Sequence, residues 1–463
     1  MVSARPRRAR RLRVAAPVLA TLACLGAAAC TSQPGGSASP SAGATSAPTS
    51  ASTSSGPVTL RFAVYGEPPV VAAYRRLAAT WNSRHPDITV KVEAVADAVT
   101  SDDRVDRAFD AGHPPDLFLT RQTTLPELKA DDRVQPVDQL LEQRGVQFGD
   151  SYQRLGLEGF AGDAALQCMP NEVSPYVVFY NKRLIVPRTF GQPGEQPPSP
   201  DRGWTWEQFV AAARAGSQGG VKGVYLPPRL TTLLPLVRSA GADLVDDPRN
   251  PTTTTFAEKD TRTALEDILT VARDPSINLT ARQLARQDAV TRFENGRLAM
   301  MVGTRSLVPR LRAKPDLRFD VFPLPSLGRS RTVAEMTGYC LAKGSQHVPQ
   351  AADFLAWASG DRGSKILAGS GGVVPANIAA LHSPQFTEPG EFPRNSEVFD
   401  EVIRRADALP SSMHWPDVVS QTQPFVDRLF YAPVLNLDTL LPHIDEVSAR
   451  LLALPTPSPS PSS

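Results

Sequence analysis

Few residues in this chain have types and spacings that could do chemistry, and the first of them is a cysteine. Cys30 follows Ala27-Ala28-Ala29 at the end of an apolar run from Val14 to Ala29, which itself follows a basic stretch carrying Arg5, Arg7, Arg8, Arg10, Arg11 and Arg13. A basic region, a short apolar region and small residues in that order make an export signal. The run is about 16 residues long, short of the roughly 20 that a bilayer-spanning helix needs. A thiol in this setting can accept a diacylglyceryl group, the signal being cut just before it. Such sites usually have Leu three residues before the cysteine, where this chain has Ala27. Cys24 is the alternative acceptor, at the cost of a shorter apolar run, and simple cleavage after an Ala-x-Ala site would leave a free secreted protein. With Cys30 as acceptor, residues 1–29 are a lipoprotein signal peptide. The mature protein is then lipid-anchored at the extracellular face of the cell membrane.

Two cysteines remain in the body, Cys168 and Cys340. In an exported protein a lone pair is a disulfide candidate. No other constellation stands out: there is no His-Glu-x-x-His, no Gly-x-Ser-x-Gly, no phosphate loop and no cysteine cluster of zinc spacing. His85, His113, His347, His382, His414 and His443 are scattered and read as surface residues. A triad dispersed through the sequence would leave no such signature, but nothing points to one. No catalytic residue, metal ligand or cofactor is expected.

The elements that must position a site come next. The hydrophobic share of 41% and charged share of 21% are those of a globular protein, and about 400 mature residues are enough for two domains. Net charge is +2, with much of the basic excess in the signal. A near-neutral or acidic body lacks the basic face that nucleic acid requires. Residues 30–57 are a Ser/Ala/Gly/Pro linker, unable to bury enough apolar surface to order itself, and 454–463 form a similar tail. As a flexible coil the linker spans roughly 28 Å, enough to lift a folded body off a membrane. In the body, Val58–Val64 alternates as a strand, 70–84 reads as a helix with Val71, Tyr74, Leu77 and Trp81 on one face, and 88–95 is a second strand. A helix at 104–111 and a buried strand at 115–119 follow. Strand, helix, strand, helix, strand signals a parallel sheet with covering helices. Further on, 165–169 and 176–180 are β-rich and are joined by Pro170 to Pro175. Helices are expected at 206–215 (capped by Thr205), 260–272, 281–295, 306–313, 351–358, 362–368, 399–408 and 435–453, with strands at 319–323 and 333–341. The fold class is α/β in two lobes.

Several short segments then recur in a set order: Gln167-Cys168-Met169-Pro170, Tyr180-Asn181-Lys182, Trp204-Thr205-Trp206-Glu207-Gln208-Phe209, and Ser239-Ala240-Gly241-Ala242-Asp243-Leu244-Val245. After them come Phe293 to Met301, Phe322-Pro323-Leu324-Pro325, Thr337-Gly338-Tyr339 and Gly371-Gly372-Val373-Val374-Pro375-Ala376. Together, over about 58–452, they resemble the family 1 extracellular solute-binding proteins of ABC importers, the group that includes maltose-binding protein. The resemblance implies a two-lobed periplasmic-binding-protein-like fold with hinge strands and an interlobe ligand cleft. Chain crossings would fall near 169–173, near 338–341 and around 395–412. The lobes would then be 58–168 plus 342–395, and 169–341 plus 396–453. It also implies that Cys168 and Cys340 lie on neighbouring hinge strands, close enough for a disulfide.

The same resemblance marks where ligand contacts fall. Those places hold Tyr65 and Glu67; Thr120 and Arg121; Glu172, Ser174 and Tyr176; Arg305; and His414 and Trp415. Trp81, Trp204 and Trp206 read as core. Where maltose-type proteins carry an aromatic beyond the Ala-Met strand, this chain has Gly303-Thr304-Arg305-Ser306. With Arg121, Glu172 and Arg305 facing the cleft, an acidic or zwitterionic ligand stands beside carbohydrate, the commonest cargo of the family. The implied protein is a monomeric, non-enzymatic substrate-binding lipoprotein. Its expected partners are a small solute, with carbohydrate placed first, the transmembrane subunits of a permease, and the membrane through its anchor. The alternatives are a secreted glycoside-processing enzyme using paired carboxylates, or a ligand sensor on the same fold.

Overall fold

The computed structural model describes residues 56–191 and 194–455. The expected signal peptide, Cys30, Cys24, nearly all of the linker and the tail beyond 455 lie outside the described residues.

The strands, in chain order, are β1 (Val58–Tyr65), β2 (Ile88–Val95), β3 (Leu117–Arg121), the short β4 (Val134–Gln135), β5 (Ala161–Gly162) and β6 (Ala165–Leu166), then β7 (Cys168–Pro175) and β8 (Val177–Asn181). These are followed by β9 (Lys222–Tyr225), β10 (Leu298–Gly303), β11 (Phe319–Phe322), β12 (Thr332–Ala342) and β13 (Ala406–Ala408). Two sheets carry the fold. The first has the order β13-β12-β3-β1-β2, with β7 and β4 also paired to β12; the second has the order β11-β8-β10-β9. In the first sheet β1 runs parallel to both β2 and β3, as the strand–helix–strand rhythm predicts. The helix Pro68–Asn82 buries Val71, Tyr74, Leu77 and Trp81 against it, the expected face.

Two apolar clusters hold these layers. One runs from Phe62, Tyr74 and Leu117 in the first sheet, through Met169 and Tyr339 on β7 and β12, to Phe179 and Phe319 on one face of the second sheet. The other covers the opposite face of the second sheet with Tyr180, Met300 and Phe322, together with the C-terminal helices through Val418, Leu441 and Ile444. The antiparallel β7–β12 ribbon joins the two halves: Met169 and Tyr339 lie in the first cluster, Val333 in the second. The chain leaves the first sheet at Pro175 and enters the second at Val177, with Tyr176 alone between. The expected lobe limits at 168/169 and 341/342 fall inside this ribbon.

Cys168 and Cys340 are a directly opposed pair of the ribbon and form a disulfide, with their Cα atoms 4.4 Å apart. That spacing matches a non-hydrogen-bonded antiparallel pair, where opposed side chains come closest.

Several local expectations are corrected. The helix expected at 70–84 starts two residues earlier, at Pro68 and Pro69, where the missing amide hydrogens cost nothing. The segment 170–175, expected as a join, is strand β7 itself. Pro170 is tolerated there because the register slips at this point: Gly338 opposes Pro170 and Thr337 opposes Glu172, leaving Asn171 as the extra residue of a bulge. The helix expected at 281–295 is two, Ala281–Arg286 and Ala289–Glu294, because Asp288 caps a fresh start. The helix expected at 399–408 is Glu397–Ile403, and its last residues instead form β13. The helices Leu230–Ala240 and Trp415–Tyr431 were not legible; each carries an internal proline, Pro235 and Pro424.

Candidate functional site

The cleft between the two sheets follows from the strand directions. In a parallel sheet the carboxyl ends of neighbouring strands, and the helix starts that follow them, open onto one edge. Here β1 ends in Tyr65-Gly66-Glu67 and β3 ends in Arg121, on one wall of a cavity of about 1180 Å³. The facing wall is Tyr225 at the end of β9, Arg229 and Thr231 at the start of the Leu230–Ala240 helix, and Trp415, Asp417 and Asp427 of the Trp415–Tyr431 helix. Gly66 makes the first turn possible. Its φ is 145°, and a Cβ there would meet the Val70 side chain at 3.1 Å.

The β7–β12 ribbon is the floor. Alternation along each strand puts Glu172 and Ser174 on one face of β7, and Glu335 and Thr337 on the same face of β12. The ladder makes them neighbours: Ser174 opposes Glu335 and Glu172 opposes Thr337. All four line the cleft. The Tyr176 hydroxyl donates to the Glu335 carboxylate. Glu172 accepts one long bond of 3.5 Å from the Val374 amide. Burial pushes the Glu172 carboxyl up to about 8, the Glu335 charge adds to this, and Arg305 only partly opposes it.

On the first wall Arg121 pairs with Asp102 at 2.5 Å. Burial still holds the Asp102 carboxyl above its ordinary range against the pull of Arg121. Asp106, paired with Arg133, is raised by burial too, and so is Glu127, with the Asp106 charge adding to it. Two hydroxyls facing this space have no partner among the described residues: the buried Tyr65 OH and the Ser174 Oγ.

Of the residues expected from sequence, the fold brings Tyr65, Glu67, Arg121, Glu172, Ser174, Tyr176 and Trp415 together around the cavity. Thr120 and Arg305 are not among its lining. Thr120 lies between Leu119 and Arg121 on β3, so alternation turns it to the other face, where it is buried. Arg305 is corrected from cleft residue to support. Thr304 and Ser306 on either side of it reach the cleft, while its own side chain is fully buried. Its guanidinium donates to the Gly371 carbonyl at 3.1 Å and the Phe386 carbonyl at 2.7 Å, and stacks on the Phe386 ring at 4.0 Å. Glu388 lies 3.4 Å away and is shared with Arg312. Burial, helped by Arg312, draws the Arg305 guanidinium down to about 9. It thus anchors the loop whose Gly372 and Val373 edge the cleft. His414 lies outside the lining, at the start of the Trp415–Tyr431 helix. Trp81, Trp204 and Trp206 are core.

Sequence reasoning missed Asp102, Asp103 and Asp106, as well as Tyr225, Arg229, Glu335 and Thr337. A signal existed for the first group: Asp102 and Asp106 are four apart on one face of the helix that follows β2. Among the described residues no helix is long and apolar enough to cross a membrane, and no cluster of metal-binding residues occurs.

Comparison with known proteins agrees with this architecture. A lipoprotein of Streptomyces antibioticus, of uncharacterised function and encoded in the region 5′ of oleD, is 27% identical over 194 residues, 41% of either chain. The match therefore spans less than half of that relative's length. Among solved structures, the substrate-binding protein Lmo0181 of Listeria monocytogenes, in complex with cycloalternan, superposes with a TM-score of 0.74 at 18% identity, covering 86% of this chain and 100% of that one. The GacH receptor of Streptomyces glaucescens, solved unliganded and with acarbose, gives 0.71 at 17% identity over 85% and 98%. At these identities the likeness establishes the fold alone, a two-lobed α/β architecture of the periplasmic-binding-protein type. The family model for bacterial extracellular solute-binding proteins matches residues 66–365, more than half of the chain. The chain belongs to that family of bacterial extracellular solute-binding proteins.

Proposed function

We propose that this protein is the substrate-binding receptor of an ABC importer, taking up a small sugar or sugar derivative and delivering it to the permease. The observation that carries this reading is the cleft of about 1180 Å³ between the sheets, edged by Tyr65, Tyr176, Tyr225 and Trp415 beside hydrogen-bonding side chains. Aromatic faces pack on the C–H faces of sugars, and carboxylates, amides and hydroxyls bind their hydroxyl groups. The sugar-bound relatives, Lmo0181 with cycloalternan and GacH with acarbose, support the same class of cargo.

The mechanism is hinge closure. Residues 58–168 with 342–395 would move against 169–341 with 396–453 about the β7–β12 ribbon. Ligand favours the closed form by as much as it binds that form more tightly than the open one. Lipidation at Cys30 would hold the receptor, as a monomer, at the outer face of the membrane, with residues 31–57 as the tether. No chemical step is assigned; the protein binds and releases.

A thermal-shift screen of the purified protein across neutral sugars, sugar acids, amino sugars and oligopeptides tests this. Stabilisation by at least one sugar, with the sugar recovered unchanged, is the expected result. Turnover of a glycoside, or a response to oligopeptides alone, would overturn it. For the tether, Cys30→Ala should release the protein into the medium or leave it unprocessed. An unlipidated mature start at another residue, found by mass spectrometry, would refute lipidation.

A further inference from the structure

The cleft is acidic, and its acidity is not neutralised from within. Nine carboxylic acids line it against two arginines, Arg121 and Arg229, with no lysine and no histidine. Arg121 is already committed to Asp102, and Asp106 is held by Arg133 from outside the lining. Among the described residues, Glu67, Asp103, Glu127, Glu172, Glu335 and Asp427 line the cavity with no basic side chain within ion-pairing distance. Low-dielectric walls focus the field of such groups into the space between them.

An independent observation points the same way. Ser174 is only 3% exposed, lines the cleft between Glu172 and Glu335, and its Oγ has no hydrogen-bond partner. A hydroxyl can accept a hydrogen bond as well as donate one, and an ionised carboxylate can only accept; a cation seated beside Glu172 would draw off the proton that burial leaves on it. The floor therefore presents two carboxyl groups with no cationic donor beside them, only the hydroxyls of Tyr176, Ser174 and Thr337. An ammonium brings three donors and a positive charge on one atom. A metal ion is a poorer fit, because it needs carboxylates converging on one point and no such group occurs among the described residues. The acids are instead spread over the floor and both walls, and the rings of Tyr65, Tyr176, Tyr225 and Trp415 stand among them. Ring faces attract cations as well as sugar C–H groups.

We infer that the ligand is cationic: a sugar or sugar-like solute bearing at least one protonated amine, whose ammonium sits on the Glu172–Ser174–Glu335 face. The inference rests on the carbohydrate reading and narrows it. A neutral analogue offers these acids hydroxyl donors but no compensating charge, and an anionic one is repelled by them, so the same groups that attract the cation disfavour its competitors.

The test is calorimetry on the purified protein with matched probes. These are glucosamine oligomers, their N-acetylated counterparts, maltose-type oligomers, oligogalacturonates and spermidine. Glucosamine oligomers are expected to bind about tenfold or more tighter than the N-acetylated forms, the value of one charge-assisted hydrogen bond. That preference should shrink as ionic strength rises from about 0.01 M to 0.15 M, which shortens the Debye length from roughly 30 Å to 8 Å. Glu335→Gln and Glu172→Gln should each weaken the cationic probe about tenfold. Equal or tighter binding of a neutral or anionic sugar overturns the cationic inference and leaves a sugar receptor standing. Binding of spermidine with no sugar bound upholds the cation and overturns the carbohydrate reading. Silence across all probes overturns both, and unchanged cationic affinity in both glutamine variants overturns the seat.

Discussion

The two ends of the β7–β12 ribbon are built from the same ladder and meet opposite fates. At one end Cys168 and Cys340 face each other, fully buried and joined by a disulfide, beside Met169 and Leu341 in the core. At the other end Ser174 faces Glu335, Glu172 faces Thr337, and the groups open onto the cleft with most of their bonding capacity unused. The Asn171 bulge separates the two. Its carbonyl accepts the Ala376 amide, and its side chain donates to the Tyr74 hydroxyl at 3.0 Å. Buried polar groups in proteins are normally satisfied within the chain. At the sealed end the Tyr339 hydroxyl is an exception, but it is walled off in the core; at the open end the unpartnered Ser174 hydroxyl faces the cleft, so the open end is where an outside partner can complete the structure.

The largest effect should come from breaking the sealed end. The disulfide spans 172 residues of sequence, for which the chain-entropy account gives about 5 kcal/mol and ordinary experience roughly 2–5. The double change Cys168→Ala with Cys340→Ala should lower unfolding free energy by that amount, read by urea denaturation. The ranking of ligands should not change, because neither residue touches the cleft. Two titratable thiols in the denatured, unreduced protein would show that the bridge does not form. A changed ligand ranking would show that the two ends are not separable.

The next largest concerns the support beneath the open end. Arg305→Met keeps much of the volume but strands the Gly371 and Phe386 carbonyls, and leaves Arg312 alone with Glu388. A loss of about 2–4 kcal/mol is expected from the unsatisfied buried groups. Ligand binding should weaken as well, through the Gly372–Val373 edge. A stable variant with selectively lost binding would return Arg305 to the cleft as a contact residue.

The first sheet's β1 and β2 were more legible than the ribbon, and for physical reasons. β1 and β2 announce themselves by β-branched alternation, which depends on local sequence alone. The ribbon does not: Pro170 and Pro175 argue locally against a strand, and what makes β7 a strand is pairing with β12 and with the 374–376 segment. The Ala98–Asp110 helix was expected to start only at 104, because Val99-Thr100-Ser101-Asp102-Asp103 shows no apolar stripe. That missing turn carries two of the cleft's acids. At Arg305 the neighbourhood was right and the direction wrong, since Thr304 and Ser306 face the cleft and Arg305 faces the core. Family motifs locate segments; which side chain of a segment faces the ligand is settled by packing.

Glu172 tests the open end through pH. Its carboxyl titrates near 8 in the folded protein and near 4.3 unfolded. Between these values the folded form holds a proton that the unfolded chain has lost, so stability falls as pH rises through this window. Glu172→Gln removes that dependence. The variant should be more stable than the parent at pH 8.5 by about 1–2 kcal/mol, the full shift being discounted because the side chain is only part-buried. The two proteins should converge near pH 4. Parallel stability curves from pH 4 to pH 9 would mean that Glu172 is ionised throughout and already has a partner.

The smallest effect on the protein itself sharpens the comparison most. Ser174 is buried, and its hydroxyl has no partner within hydrogen-bonding distance, although it lies near enough to the Glu172 carboxylate to favour its charge. Removing a buried polar group that lacks a partner costs no internal bond and removes a desolvation penalty. Ser174→Ala should therefore leave stability within about 0.5 kcal/mol of the parent, or raise it. A serine that braced the ribbon would instead cost about 1 kcal/mol or more on truncation. Ligand affinity should fall all the same, by about 1 kcal/mol or roughly fivefold, because the hydroxyl finds its partner only in the complex. Denaturation and calorimetry on the one variant give both readings. Loss of stability with unchanged affinity would reverse the assignment and make Ser174 part of the sealed framework.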